Sequence, residues 1–221
     1  MTRILFTACL AGALALGGAA SAQTVAPDPD APVGKQANTF MVRLRAIGVL
    51  PQDTWSSIST IGGKVDVSNQ AAPEVDVSYF VTDHIGFELI AATTRHVLHA
   101  TDTALGTVDV GSTWVLPPTL TVQYHFMPHQ RFSPYVGVGP NLTFFYDTHA
   151  AGGTVSHLSI SNKGGVAIQA GFDYNVKGHW FANFDVKQIF VQADASLNYG
   201  AIHAKTGLSP TVIGAGIGYR F

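Results

Sequence analysis

Polar and apolar residues alternate along most of this chain. Positions 119–126 show it best: Leu120, Val122, Tyr124 and Phe126 fall on one face, and Thr119, Thr121, Gln123 and His125 on the other. A period of two is the mark of a strand with one apolar face. The same alternation runs through 40–47, 74–81, 86–93, 135–146, 165–174, 180–190 and 209–221. The connections alternate in length. Those at 82–85, 127–131 and 175–179 are short, and those at 48–73, 94–118, 147–164 and 191–208 are long. Short turns at one end of a sheet and long loops at the other give that rhythm. The pattern predicts an all-β fold over 38–221, an eight-stranded antiparallel up-and-down β-barrel with both termini at the short-turn end.

Composition decides which face meets which solvent. The 221 residues are 47% hydrophobic and only 12% charged, with a mean hydropathy of +0.22. A water-soluble barrel needs many Lys and Glu outside. Here the charges sit on the polar faces and carry both signs: Arg43, Arg45, Glu74, Asp76, Glu88, Asp173, Asp185 and Lys187. A narrow barrel interior lets such groups pair, whereas a Lys or Arg at mid-depth in lipid costs about 2–4 kcal/mol. Aromatics gather near segment ends, at Phe40, Tyr79, Phe87, Phe126, Phe144, Tyr174, Trp180, Tyr219 and Phe221, as in interfacial girdles. About ten residues per strand, at ~3.3 Å each and tilted ~40°, give an apolar band of roughly 25 Å. The barrel is therefore expected to be transmembrane, apolar side out to lipid. Arg43, Arg45, Glu74, Glu88, Asp173, Asp185 and Lys187 then form a polar network in the lumen, as a structural ion-pair plug or a selectivity path.

Lys and Arg number 12 against 14 Asp and Glu, so no basic excess invites nucleic acid. Residues 1–22 read as a signal peptide: Arg3, an apolar run over 4–16, and Ala20-Ser21-Ala22 as the cleavage site. Export from the cytoplasm follows. Residues 23–37, with Pro27, Pro29 and Pro32, read as a flexible segment. Cys9 lies inside the signal and is the single cysteine, so the exported chain has neither disulfide nor catalytic thiol. His96 and His99 have a spacing that can hold a metal, but no carboxylate partner is evident and no metal or cofactor is expected. His157 and Ser159 share a strand face, the seed of a lipid-modifying hydrolase, yet no acid is placed to orient the imidazole. No enzyme activity is expected. Pro140, mid-strand, removes a ladder donor and predicts a bulge or local opening.

Six blocks in order resemble the outer membrane protein W family: FMVRLRAIGVLP (40–51), GFELIAATTRH (86–96), LPPTLTVQYHF (116–126), PYVGVGPNLTFF (134–145), QAGFDY (169–174) and VIGAGIGYRF (212–221). The resemblance implies a monomeric barrel in the lipid of a Gram-negative outer membrane that takes up small hydrophobic solutes, with sideways exit into the bilayer. It implies an apolar mouth in the long loops, for which the candidates are Ile58, Ile61, Trp114, Leu116 and Leu197. It also implies that Phe221 addresses the barrel-insertion machinery. The chain departs from the family at Gly164, where some members carry a Trp entering the sixth strand. The alternative reading is a structural or interaction protein recognised through its extracellular loops, without transport.

Overall fold

The structure, a computed structural model, describes residues 34–221; the expected signal peptide and positions 23–33 lie outside them. Fourteen strands are present among the described residues: β1 (Thr39–Leu50), β2 (Asp53–Ile58), β3 (Lys64–Val67), β4 (Gln70–Phe80), β5 (Ile85–Ala92), β6 (Thr94–Thr103), β7 (Gly106–Leu116), β8 (Thr119–His125), β9 (Phe132–Ala150), β10 (Leu158–Ser161), β11 (Lys163–Lys177), β12 (Trp180–Leu197), β13 (Ile202–Leu208) and β14 (Thr211–Arg220). Eight of them close a ring in the order β1, β4, β5, β8, β9, β11, β12, β14 and back to β1, every pair antiparallel. These are the eight alternating segments of the sequence. Closure leaves no sheet edge, which is what a strand needs to cross hydrocarbon.

Burial settles the orientation. Val122 is 44% exposed and Leu142 55%, while their neighbours Gln123 and Asn141 are buried in the lumen. Phe40, Leu44, Leu89, Val138, Ile168 and Ile217 likewise point outward. Inside, the small face of β14 matters. Gly214, Gly216 and Gly218 line the lumen beside Arg45 and Arg43, and a methyl at Gly216 would overlap the Leu44 carbonyl. Side chains there would take the space that the two arginines fill.

The other six strands lie in the long connections, where the sequence was expected to form loops. β2, β13, the upper part of β12 and β10 form one sheet; β3, β6, β7 and the upper part of β9 form another. They carry the wall above the membrane band. Their alternation escapes notice because both faces are mixed: in β6, Thr94, His96 and Leu98 face inward and Arg95 and Val97 outward.

Of the bulge or local opening expected at Pro140, the structure shows the opening and no bulge. β9 keeps its register against β11 through Val166↔Pro140, and the β8–β9 ladder simply lapses between Thr119↔Asn141 and Val122↔Val138. Proline has no N–H to give, and the register set by the flanking pairs holds. Of the segment 23–37, the described residues 34–37 lie against the barrel. The Lys35 amide donates to the Pro128 carbonyl at 2.7 Å, the Ala37 amide to Asp83 at 2.8 Å, and the Lys35 side chain enters the lumen. A buried carboxylate, Asp173, supplies the reason.

Candidate functional site

The lumen of the membrane band is filled by charge. Arg43 grips Asp173 through two nitrogens, at 3.0 and 2.8 Å, and also donates to Asp76 (2.9 Å), Ser78 (2.6 Å) and Glu88 (3.2 Å). Arg45 lies one inward position higher, 2.8 Å from Glu74, 3.0 Å from Asp76 and 3.7 Å from Asp185. Lys187 reaches Glu74 at 3.3 Å and Asp185 at 3.8 Å. Lys35 comes from below to Asp173 at 3.1 Å. Amides and hydroxyls complete the set: Gln123 and Gln169 each donate to Glu88 at 2.7 Å, and Tyr135 donates to Asp185 at 3.0 Å. The structure thus brings all seven sequence-predicted lumen residues into one assembly. Lys35, Tyr135, Gln123, Gln169 and Asn183 belong to it too. Buried charges are tolerated only when paired this fully.

Above Lys187 and Glu74 the interior changes character. Ile47, Val49, Ile90, Ala92, Val115, Phe145, Ile189, Val191 and Leu208 surround a chamber of roughly 1120 Å³, including its open margins. Its few polar lining groups include Thr94, His96, Thr113, Thr119 and Thr143, with Glu74 and Lys187 as the floor. The hydroxyls already donate, for example Thr119 to the Pro117 carbonyl and Thr143 to Asn141. None of these wall residues was among the expected mouth residues, although the sequence carries a signal for them. On the inward parity of each strand, charge gives way to apolar side chains toward the long loops: Arg45 to Ile47, Glu88 to Ile90, Lys187 to Ile189. Over the chamber, Ile58, Ala100, Val110, Val155, Leu158, Leu197 and Ala204 pack into an apolar cluster.

The expected mouth residues divide. Ile58, Ile61 and Leu197 line the small cavity inside that cluster. Trp114 and Leu116 do not line either cavity. They pair with Tyr146 and Phe144, both outward-facing, and the Trp114 ring stacks on Tyr146 with centroids 6.3 Å apart. Residues directly opposite in a ladder share a face, so both lie on the outward face, Trp114 in the upper aromatic girdle. The inward positions of β7 are Thr113 and Val115. His96 and His99 do not converge: His96 faces the chamber and bonds the Ser68 carbonyl and Thr94, while His99 pairs with Asp109 at the surface. His157 stacks on Tyr199 at 4.3 Å. Ser159 points outward from β10.

Comparison with known proteins agrees with this architecture. A family model described as the OmpW family matches residues 36–221. The chain is 40% identical to the outer-membrane protein y4mB of Sinorhizobium fredii over 97% of this chain and 95% of that one. It is 34% identical to outer membrane protein W of Vibrio cholerae, covering 84% and 90%. Among solved structures, OprG of Pseudomonas aeruginosa superposes with a TM-score of 0.79 at 28% identity, covering 85% of this chain and 98% of that one. A closed eight-stranded ring, a lipid-facing apolar wall and a match over the whole described barrel make this chain a member of the OmpW family of outer-membrane proteins.

Proposed function

We propose that this barrel takes up small hydrophobic molecules, which enter an apolar chamber from the loop side and leave sideways into the bilayer. The observation that carries this reading is the abrupt floor of the chamber: apolar walls end on Glu74 and Lys187, and below them the lumen is packed with ion pairs. An apolar guest is welcome above the floor. Passing it would strip charges of their partners, at several kcal/mol each. A straight path to the periplasm is therefore closed to such a guest. The wall offers an easier step where the β8–β9 ladder lapses opposite Gly139 and Pro140, next to Thr119 of the chamber lining. Monomeric insertion and recognition of Phe221 by the insertion machinery belong to the same reading.

Uptake of octane into liposomes with and without the protein tests it. Ile189→Asp places a charge in the chamber wall and is expected to abolish the protein-dependent uptake; equal uptake in the variant overturns the reading. The apolar cluster around Ile58 and Leu197, which closes the chamber from above, favours the second reading, a protein recognised through its loops. That reading stands if wild-type protein passes no octane.

A further inference from the structure

We propose that the Lys187–Glu74 pair on the chamber floor is a docking site for a hydroxyl group, so that the preferred guest is an aliphatic or aromatic alcohol. The inference rests on the chamber being a guest site, and it names the chemistry of the guest. Both side chains are buried, at 2% and 4% exposure, and both line the apolar chamber. Their hydrogen bonding is incomplete. The Lys187 ammonium has three protons, and its one hydrogen bond is the 3.3 Å contact to Glu74 Oε2, Asp185 being 3.8 Å away. Glu74 Oε1 is buried against Arg45 at 2.8 Å, while Oε2 accepts the one hydrogen bond from Lys187 and keeps a lone pair. The floor therefore presents a spare donor beside a spare acceptor, at the end of an otherwise apolar volume.

A hydroxyl satisfies both at once. Its oxygen accepts from Lys187 Nζ and its O–H donates to Glu74 Oε2. An ether can only accept, an alkane can do neither, and each leaves buried polar capacity unmet. A carboxylate fares worse for a different reason. Lys35, Arg43, Arg45 and Lys187 face Glu74, Asp76, Glu88, Asp173 and Asp185, so this linked assembly already carries one carboxylate more than it has cations. A second excess negative charge in the low-dielectric floor is disfavoured, whereas a neutral hydroxyl adds none. The alkyl or aryl body of the alcohol then lies against Ile47, Ile90, Ile189 and Val191.

The test uses full-length mature protein in lipid nanodiscs, with protein-free nanodiscs as reference. Binding of octan-1-ol, octyl methyl ether, octanoate and octane is compared. Octan-1-ol is expected to bind at least about tenfold more tightly than the ether or octanoate, the size of one or two hydrogen bonds to charged groups. Lys187→Met and Glu74→Gln are each expected to reduce the alcohol-to-ether ratio by about tenfold, with heat-modifiable gel mobility reporting the folded barrel. Equal binding of alcohol and ether, tighter binding of octanoate, or a ratio untouched by both substitutions overturns the proposal. If a variant does not fold, the wild-type comparison of alcohol with ether decides alone. Octane flux in liposomes is read in parallel. Its absence sinks the uptake reading, while the alcohol-to-ether ratio still decides this one.

Discussion

Arg43→Met is the sharpest test of the lumen as a sealed assembly. Arg43 is fully buried and donates five hydrogen bonds, two to Asp173 and one each to Asp76, Ser78 and Glu88. Methionine fills much of the same space but leaves three carboxylates short of a cation. Removing one partner from a buried ion pair costs about 3–5 kcal/mol, because the remaining charge stays buried and uncompensated. The low end applies if Arg45, 3.0 Å from Asp76, and Lys35, 3.1 Å from Asp173, take up part of the load. With a urea slope of about 2 kcal/mol/M, the unfolding midpoint in lipid vesicles should fall by roughly 1.5–2.5 M. Tryptophan fluorescence and gel mobility can both follow it. Arg43→Met/Asp173→Asn should recover part of the loss, since it removes the charge that the first substitution strands. A loss under about 1 kcal/mol would refute the reasoning: the lumen would then be wet, and its charges screened like surface pairs.

Other outcomes follow from single features. Val138→Arg, on the lipid face at 53% exposure, should cost about 2–4 kcal/mol in the same urea assay, more than any polar change in the loops. Gly139→Ala should hinder folding, because a methyl there overlaps the Leu120 carbonyl; Gly48→Ala, with no atom nearby to meet, should fold as wild type, and gel mobility separates the two. Acidification should loosen the loop sheets. Burial holds the His96 imidazole below the usual histidine range, against a smaller opposing effect of the Ser68 carbonyl, so the unfolded segment binds the proton more readily than the folded one. Stability of β3 and β6 is then lost as pH falls below about 6.5, the ordinary histidine value, and His96→Asn should flatten that dependence in amide exchange at Val97.

The sequence by itself determined the barrel and which of its faces is wet. Alternation is a local property, set by the pleat of each strand, and eight alternating segments of membrane-spanning length admit few closures. The polar parity also named Arg43, Arg45, Glu74, Glu88, Asp173, Asp185 and Lys187 as lumen residues, because both signs of charge on narrow inner faces must pair. Tertiary structure alone decided the rest. Lys35 enters the lumen only because Asp173, far along the chain, offers it a partner. Trp114 and Val115 are neighbours of similar polarity, and only the ladder with β9 shows that the first faces outward and the second into the chamber. The loop strands left no clear trace because both their faces are mixed, so period two carries no contrast. The floor itself, where Lys187 meets Glu74, depends on the stagger of strands brought together by closure, and no spacing within one strand encodes it.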